Sequence, residues 1–201
     1  MKTQALLLAL ASLRLAAPAL SAASGHACCD AAPAAAAPLS DRSLYQLDAI
    51  WTDDTGAAVK LAELRGRPVV LAMFFASCTY ACPILVHDLQ AIRDALPAET
   101  RARTKFVLVS FDSDRDTAAA LHAYRGKLQL DAGWTLLRGA DADIQELAML
   151  LGVKYRRDAN GDFSHSNLVT ILNAQGEIAL QREGLRGETG PAVRAIALAA
   201  P

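Results

Sequence analysis

The chain has 201 residues, of which 53% are hydrophobic and 20% are charged. That length and composition fit one compact domain with an appendage at one end, and they exclude an intrinsically disordered protein. The formal net charge is −1 and no run of lysine or arginine occurs, which argues against nucleic acid and anionic membrane surfaces as partners.

The first residues have the order of features found in a secretory signal peptide. Lys2 gives a positive start, residues 5–13 are apolar, and residues 21–24 supply the small side chains needed for cleavage. Arg14 interrupts the apolar stretch, which disfavours a membrane-spanning helix. We therefore predict a signal peptide over residues 1–23 and an exported, periplasmic protein with no stable membrane span in the mature chain. A retained N-terminal anchor and an alanine-rich tail are the alternatives.

Residues 24–43 are predicted to form a flexible linker rich in alanine and proline, followed by a folded domain over residues 44–201. The linker carries His26, Cys28 and Cys29, which are soft donors close together in sequence. They could hold an accessory metal ion, pass one to a main site, form intermolecular disulfides, or have no role in metal binding.

The pattern of the remaining chain predicts strands that first alternate with helices and then end in a hairpin. Strands are predicted at residues 44–50, 57–61, 68–75, 105–111, 134–137, 153–157, 167–172 and 177–181. Helices are predicted after Pro83, at 116–124 and 141–151 with Asp116 and Asp141 as N-caps, and at 191–198. This order indicates an α/β protein with a thioredoxin-like fold, in which helices flank both faces of a mixed central sheet.

Cys78 and Cys82 lie where the predicted strand 68–75 gives way to a helix. If the helix begins near Cys78, the two side chains at i and i+4 share one helix face, with Cβ atoms ~5–6 Å apart, so two sulfurs could bind one soft metal ion or close a disulfide. A helix N-terminus also favours the thiolate, which is the form that attacks and ligates. An inert disulfide or two core cysteines is the alternative, and a strand-to-helix loop argues against it.

A third donor is expected from one of the four histidines. His165 precedes the predicted strand 167–172, in a loop that this topology brings beside the cysteines at the carboxyl edge of the sheet. An ordinary polar loop histidine is the alternative. His87 and His122 are interpreted as helix-surface residues. Zinc usually takes four protein ligands, whereas two thiolates and one imidazole form a soft set of low coordination that suits Cu(I).

Three blocks of sequence resemble those of the Sco/SenC family of copper proteins. Residues 75–83 have the pattern Cys-x-x-x-Cys-Pro, and residues 109–117 are a strand followed by an Asp-rich turn and Arg-Asp-Thr. The third block surrounds Ser164-His165-Ser166. The blocks occur in the family's order, and the similarity covers most of residues 44–185.

The resemblance implies a thioredoxin-like domain that binds copper, as Cu(I), Cu(II) or both, through Cys78, Cys82 and His165. It implies a metallochaperone that delivers copper to, or matures, the copper-bearing subunit of cytochrome c oxidase or another copper protein. A disulfide between Cys78 and Cys82 would need a thiol reductant as a second partner, since a disulfide offers no thiolate to the metal. Asp112 matches the acidic residue of the second block and is predicted to support the ligands without binding the metal. A turn-forming or helix-capping Asp is the alternative for this residue.

A thiol–disulfide oxidoreductase is the alternative function, with Cys78 as nucleophile and Cys82 as resolving thiol. Two departures from the family pattern are visible. Many members keep a transmembrane anchor where this chain has a predicted cleavable signal, and Ser113 stands where a proline is usual.

Overall fold

The computed structural model describes residues 38–159 and 161–200, so the predicted signal peptide and the segment from His26 to Cys29 lie outside the described residues. The strands are β1 Trp51–Asp53, β2 Ala58–Val59, β3 Val69–Phe74, β4 Lys105–Ser110, β5 Trp134–Arg138, β6 Tyr155–Arg157, β7 Phe163–His165, β8 Leu168–Leu172 and β9 Ile178–Glu183. The α-helices are α1 Ala81–Asp94, α2 Ala98–Arg103, α3 Ala118–Lys127, α4 Asp141–Leu151 and α5 Gly190–Ala199.

Seven strands form one mixed sheet in the order β2-β1-β5-β4-β3-β8-β9. β3, β4 and β5 run parallel, while β1, β8 and β9 are antiparallel to the strands beside them. The central strands β4-β3-β8-β9 and the helix that follows β3 reproduce the thioredoxin-like order that the sequence predicts. β6 and β7 form a separate two-stranded hairpin.

The apolar stretch 68–75 becomes β3, and the prediction that it is covered on both faces is confirmed. All six of its residues are buried, and neighbouring side chains in a strand point to opposite faces of the sheet. α1 packs beside α5, and its apolar stripe of Leu85, Leu89 and Ile92 is fully buried. Within residues 38–159 and 161–200, no helix combines the length and apolar character needed to cross a bilayer.

The strand predicted at residues 44–50 is wrong. Leu44–Gln46 form a 3-10 helix, in which the Ser43 hydroxyl accepts a hydrogen bond from the Tyr45 amide at 3.2 Å. The strand begins at Trp51 and pairs with β2 around the predicted turn. The apolar character of these residues alone suggests a strand, but the capping serine favours a short helix at this point.

Both predicted aspartate caps are wrong as well. Thr117 is the N-cap of α3, because its hydroxyl accepts from the Ala120 amide at 3.2 Å. Asp141 lies within the first turn of α4 and accepts a hydrogen bond from the Ser113 hydroxyl instead. Asp116 points away from α3, and its carboxylate accepts a hydrogen bond from the Ala76 amide. The predicted end of α4 is confirmed at Gly152, which adopts the left-handed conformation with φ 74°.

Candidate metal centre

The cysteine loop, residues 75–82, joins β3 to the first turn of α1. Cys82 is fully buried and Cys78 is half-buried. Both are free thiols, and the Cys82 amide points at the Cys78 sulfur with N···Sγ at 3.3 Å. Pro83 follows within the first turn of α1, where a missing N–H breaks no hydrogen bond of the helix. The loop therefore directs one sulfur toward solvent and one toward the core.

The two thiols have opposite acid–base character. A hydrogen bond from the Cys82 thiol, together with the amides of Tyr80, Ala81 and Cys82 at the start of α1, lowers the pKa of Cys78 to about 5 against the cost of burial. The same hydrogen bond and burial raise the pKa of Cys82 well above its usual range. Cys78 is thus the more acidic of the two thiols, and the hydrogen bond from Cys82 favours its thiolate form.

His165 reaches the cysteines on the His hairpin, which we define as β6, β7 and the turn between them. β8 pairs with β3 so that Val169 faces Ala72, and the His165 ring lies 5.9 Å from the ring of Phe75, the residue that follows β3. The His165 Nδ1 lies 3.1 Å from the Ser166 carbonyl oxygen, to which it donates. That bond leaves the Nε2 lone pair directed to the cysteines, 3.8 Å from the Cys82 sulfur.

The structure brings together the three residues that the sequence predicts as ligands. The Cys78 and Cys82 sulfurs and a ring nitrogen of His165 all lie within 4.8 Å of one another. Two donors that are each ~2.3 Å from one ion stand at most ~4.6 Å apart, so closure around an ion needs movements of only tenths of an ångström. Two thiolates and one neutral imidazole fit a soft ion of low coordination number such as Cu(I).

Aromatic rings hold the imidazole in place. Ring centroids of Phe75 and Phe111 lie 5.9 and 5.0 Å from that of His165. Phe163 contacts both of those rings, and Tyr155 stacks on Phe111 at 5.2 Å. Such contacts fix the ring without offering competing donors, so the hairpin presents Nε2 from an apolar wall.

Asp112, predicted as a supporting residue, contacts the His hairpin and not the three donors. Its side chain is fully buried and pairs with Arg115 and with Arg157, whose guanidinium lies 3.0 Å away. Arg157 belongs to β6, lies 2.7 Å from the Asp114 carboxylate, and packs over the Phe163 ring. Asp112 therefore contacts the hairpin that carries His165.

Asp116 contacts the cysteine loop, which sequence reasoning missed. Its carboxylate accepts from the Ala76 amide at 2.8 Å and from the Ser110 hydroxyl at the end of β4. Burial raises the pKa of Asp116. An Asp before a helix has the same local pattern whether it caps that helix or turns inward, so only the tertiary structure distinguishes the two cases.

The other predicted positions lie away from these donors. His87 is exposed on α1 and its ring bonds with Gln90. His122 is an exposed residue of α3 with its Nδ1 3.4 Å from Asp54. Both interpretations as helix-surface residues are confirmed. His26, Cys28 and Cys29 fall outside the described residues.

Both the sequence and the fold of this chain are similar to those of known proteins. The SCO1/SenC family profile matches residues 44–196. A Stutzerimonas stutzeri protein named for copper binding is 29% identical over 142 residues, covering 69% of this chain and 68% of the relative. The SCO1/SenC family lipoprotein of Bacillus anthracis superposes with a TM-score of 0.69 at 21% identity, covering 76% of this chain and 92% of that chain. Copper-bound ScoI of Arabidopsis thaliana superposes with a TM-score of 0.64 at 19% identity, covering 75% of this chain and 94% of that chain. The two solved structures establish a shared fold.

Proposed function

Because this chain belongs to the SCO1/SenC family, we propose that it is a metallochaperone that binds one copper ion through the Cys78 sulfur, the Cys82 sulfur and Nε2 of His165. We further propose that it delivers the ion to, or matures, the copper centre of cytochrome c oxidase. The observation that carries the proposal is the convergence within 4.8 Å of three soft donors. They come from two elements that are more than eighty residues apart in the chain.

The donor set is suited to an ion that must be released again. Cys78 is half-buried, so one ligand faces the side from which an acceptor would approach, while Cys82 is closed off in the core. Binding requires the Cys82 thiol to lose its proton, since the thiolate is the ligand. In the neutral ring, the bond from Nδ1 of His165 to the Ser166 carbonyl selects the tautomer whose Nε2 lone pair is free to ligate.

The N-terminal sequence and one structural relative support an exported place of action. Residues 1–23 are proposed to direct export, and the SCO1/SenC lipoprotein of Bacillus anthracis supports an exported location. A copper-bearing oxidase subunit or another copper protein is the proposed recipient. A thiol reductant is a required partner, because a Cys78–Cys82 disulfide offers no thiolate to copper.

Thiol–disulfide exchange is the second candidate, favoured by the contrast between the two sulfurs. The Cys78 thiolate would attack a substrate disulfide and release one substrate thiolate. Cys82 would then attack the Cys78 sulfur, which yields a Cys78–Cys82 disulfide and the second substrate thiol. Two sequence features argue against general thioredoxin activity. Three residues separate the cysteines, and no proline occurs between Pro97 and Pro191 to face them.

Copper titration of the full chain distinguishes these proposals. Against a competing Cu(I) chelator, the reduced chain is expected to bind one tightly held ion at the main centre, and the disulfide form none. A variant with Cys28→Ser and Cys29→Ser should keep that ion and lose any additional one held by the N-terminal segment. Equal binding by the reduced and oxidised forms would contradict the two-thiolate centre. Rapid disulfide reduction by a chain that retains no copper would favour the oxidoreductase.

A further inference from the structure

Asp116 is a buried carboxyl group, 2% exposed, that has no assigned role in metal binding. It leaves the N-cap position of α3 to Thr117 and turns inward. One of its oxygens accepts two hydrogen bonds, from the Ala76 amide at 2.8 Å and from the Ser110 hydroxyl. Its backbone is fixed as well, because the Arg138 guanidinium donates to the Asp116 carbonyl at 3.0 Å. A rigidly held acid thus joins the end of β4 to the loop that follows β3.

The Ala76 amide needs this acceptor because it has left the sheet. Phe74 is the last residue of β3 paired with β4, and its carbonyl accepts from the Phe111 amide. Beyond it the chain turns, and the Cys78 amide donates to the Phe75 carbonyl at 3.2 Å. A backbone N–H that loses both its sheet partner and water destabilises the fold unless another acceptor replaces them, so the Asp116 carboxyl group favours the turn in this position.

We propose that Asp116 is a positioning residue, which fixes the cysteine loop in the conformation that directs Cys78 and Cys82 at one ion. The inference rests on the proposed copper-binding function and adds a residue that does not touch the metal. Asp116 acts through the Ala76 amide, two residues before Cys78. Ser110 serves both sides of this arrangement, since its hydroxyl donates to Asp116 and accepts from the Asp112 amide at 3.0 Å.

The test compares three variants that separate hydrogen bonding from general stability. Asp116→Ala removes the acceptor. Asp116→Asn keeps an oxygen that can accept both hydrogen bonds. Asp54→Ala is the matched control, because Asp54 is equally buried but pairs with Arg125 of α3 and does not contact the cysteine loop.

Two measurements are made on each variant. The hydrogen exchange rate of the Ala76 amide is followed by NMR without copper and expressed relative to the global unfolding rate of the same protein. It should be at least tenfold faster in Asp116→Ala than in the wild type. Cu(I) affinity should fall roughly 10–100-fold in the same variant, the range typical of lost outer-shell partners. Asp116→Asn should stay within threefold of the wild type in both measurements. Asp54→Ala should lower thermal stability while leaving both unchanged.

Two outcomes overturn the inference. Wild-type copper affinity in Asp116→Ala removes the positioning role, even if Ala76 exchanges faster. Equal losses in the Ala and Asn variants would assign the effect to the negative charge and not to the acceptor. If Asp116→Ala does not fold, Ser110→Ala replaces it, with a smaller loss expected in the same direction. Failure of the wild type to bind copper would refute the proposed function, while the Ala76 exchange would still test the loop.

Discussion

The two halves of the proposed copper site are built in different ways. The cysteine loop continues directly from β3, whose six residues are all buried, and it ends at Cys82 in the core. The His hairpin stands apart from the main sheet, with three residue pairs joining strands that are half-buried or exposed. Besides its aromatic contacts with Phe75 and Phe111, the hairpin is held by the ion pairs of Arg157, which are partly exposed to water and salt.

This difference assigns different tasks to the two kinds of ligand. The sulfurs are positioned by the packing that stabilises the whole domain, so their separation changes little unless the core is disturbed. The imidazole is positioned by a small surface element, whose local opening costs less free energy than global unfolding. We therefore expect the sulfurs to supply most of the affinity and the imidazole to adjust it.

Replacement of a sulfur should have the largest effect. Cys82→Ser keeps the shape of the side chain and removes the soft donor, so Cu(I) affinity should fall by ~100-fold or more. Competition with a Cu(I) chelator measures the loss, and circular dichroism verifies the fold.

The control for this variant is the pair of substitutions Cys28→Ser and Cys29→Ser, which removes as many thiols as the main centre contains. It should leave the tightly bound ion in place. A Cys82→Ser protein that binds as tightly as the wild type would show that the buried sulfur is not a ligand, and the comparison of the two halves would fail.

Removal of the imidazole should have a smaller but clear effect. His165→Ala leaves both thiolates in place, so Cu(I) affinity should fall by roughly 10–100-fold, less than in Cys82→Ser. The electronic spectrum of the Cu(II) form should also change, because one nitrogen ligand is lost. His87→Ala is the matched control, since that ring is exposed on α1 and contacts Gln90. Unchanged affinity for both oxidation states in His165→Ala would contradict the three-ligand site.

Loosening the hairpin without touching a ligand should have a still smaller effect. Arg157→Gln removes the ion pairs to Asp112 and Asp114 and the contact with the Phe163 ring. Partly exposed ion pairs contribute little each, so we expect copper affinity to fall about two- to fivefold, and less at high salt.

The neighbouring Arg156→Gln is the control for the hairpin variant. Arg156 alternates to the other side of β6 and is exposed. Chelator competition at low and high salt should distinguish the two variants. Equal effects of both substitutions would indicate a general charge effect, and would contradict the view that Arg157 acts by holding the hairpin.

The sequence predicted the half of the site that the core positions. Continuous apolar runs identified β3 and β4, and the spacing of Leu85, Leu89 and Ile92 identified α1. Once those elements were placed, Cys78 and Cys82 had to lie at a strand-to-helix junction. Burial patterns leave a strong periodic signal, so this part of the fold could be read from residue order.

The hairpin that carries His165 and the inward turn of Asp116 could not be predicted in the same way. The segment Phe163-Ser164-His165 is too short and too polar for its sequence to predict a strand. It forms β7 because it pairs with β6 and because Phe163 contacts the rings of Phe75 and Phe111. Asp116 has the local pattern of a helix cap and turns inward to the cysteine loop. Both outcomes depend on residues distant in sequence, which tertiary packing alone brings together.

A substitution at the exposed tip of the cysteine loop should distinguish the binding of copper from its transfer to a partner. Tyr80 lies between the two cysteines, its side chain is 75% exposed, and as N-cap of α1 it makes no side-chain capping bond. The fold therefore does not use its ring, and exposed tyrosines are frequent anchors of protein interfaces. Tyr80→Ala should leave copper affinity within about twofold of the wild type while transfer to a copper-bearing oxidase subunit slows ~10-fold.

Met149→Ala is the matched control for this last substitution, because Met149 is 74% exposed on α4, an element that carries none of the three donors. Stopped-flow measurement of copper transfer should show no change for Met149→Ala and a partial recovery for Tyr80→Phe. If Tyr80→Ala lowered affinity as much as His165→Ala, the ring would be shaping the cysteine loop and not meeting a partner. If transfer were as fast as in the wild type, the recipient would have to approach the Cys78 sulfur from another side of the loop.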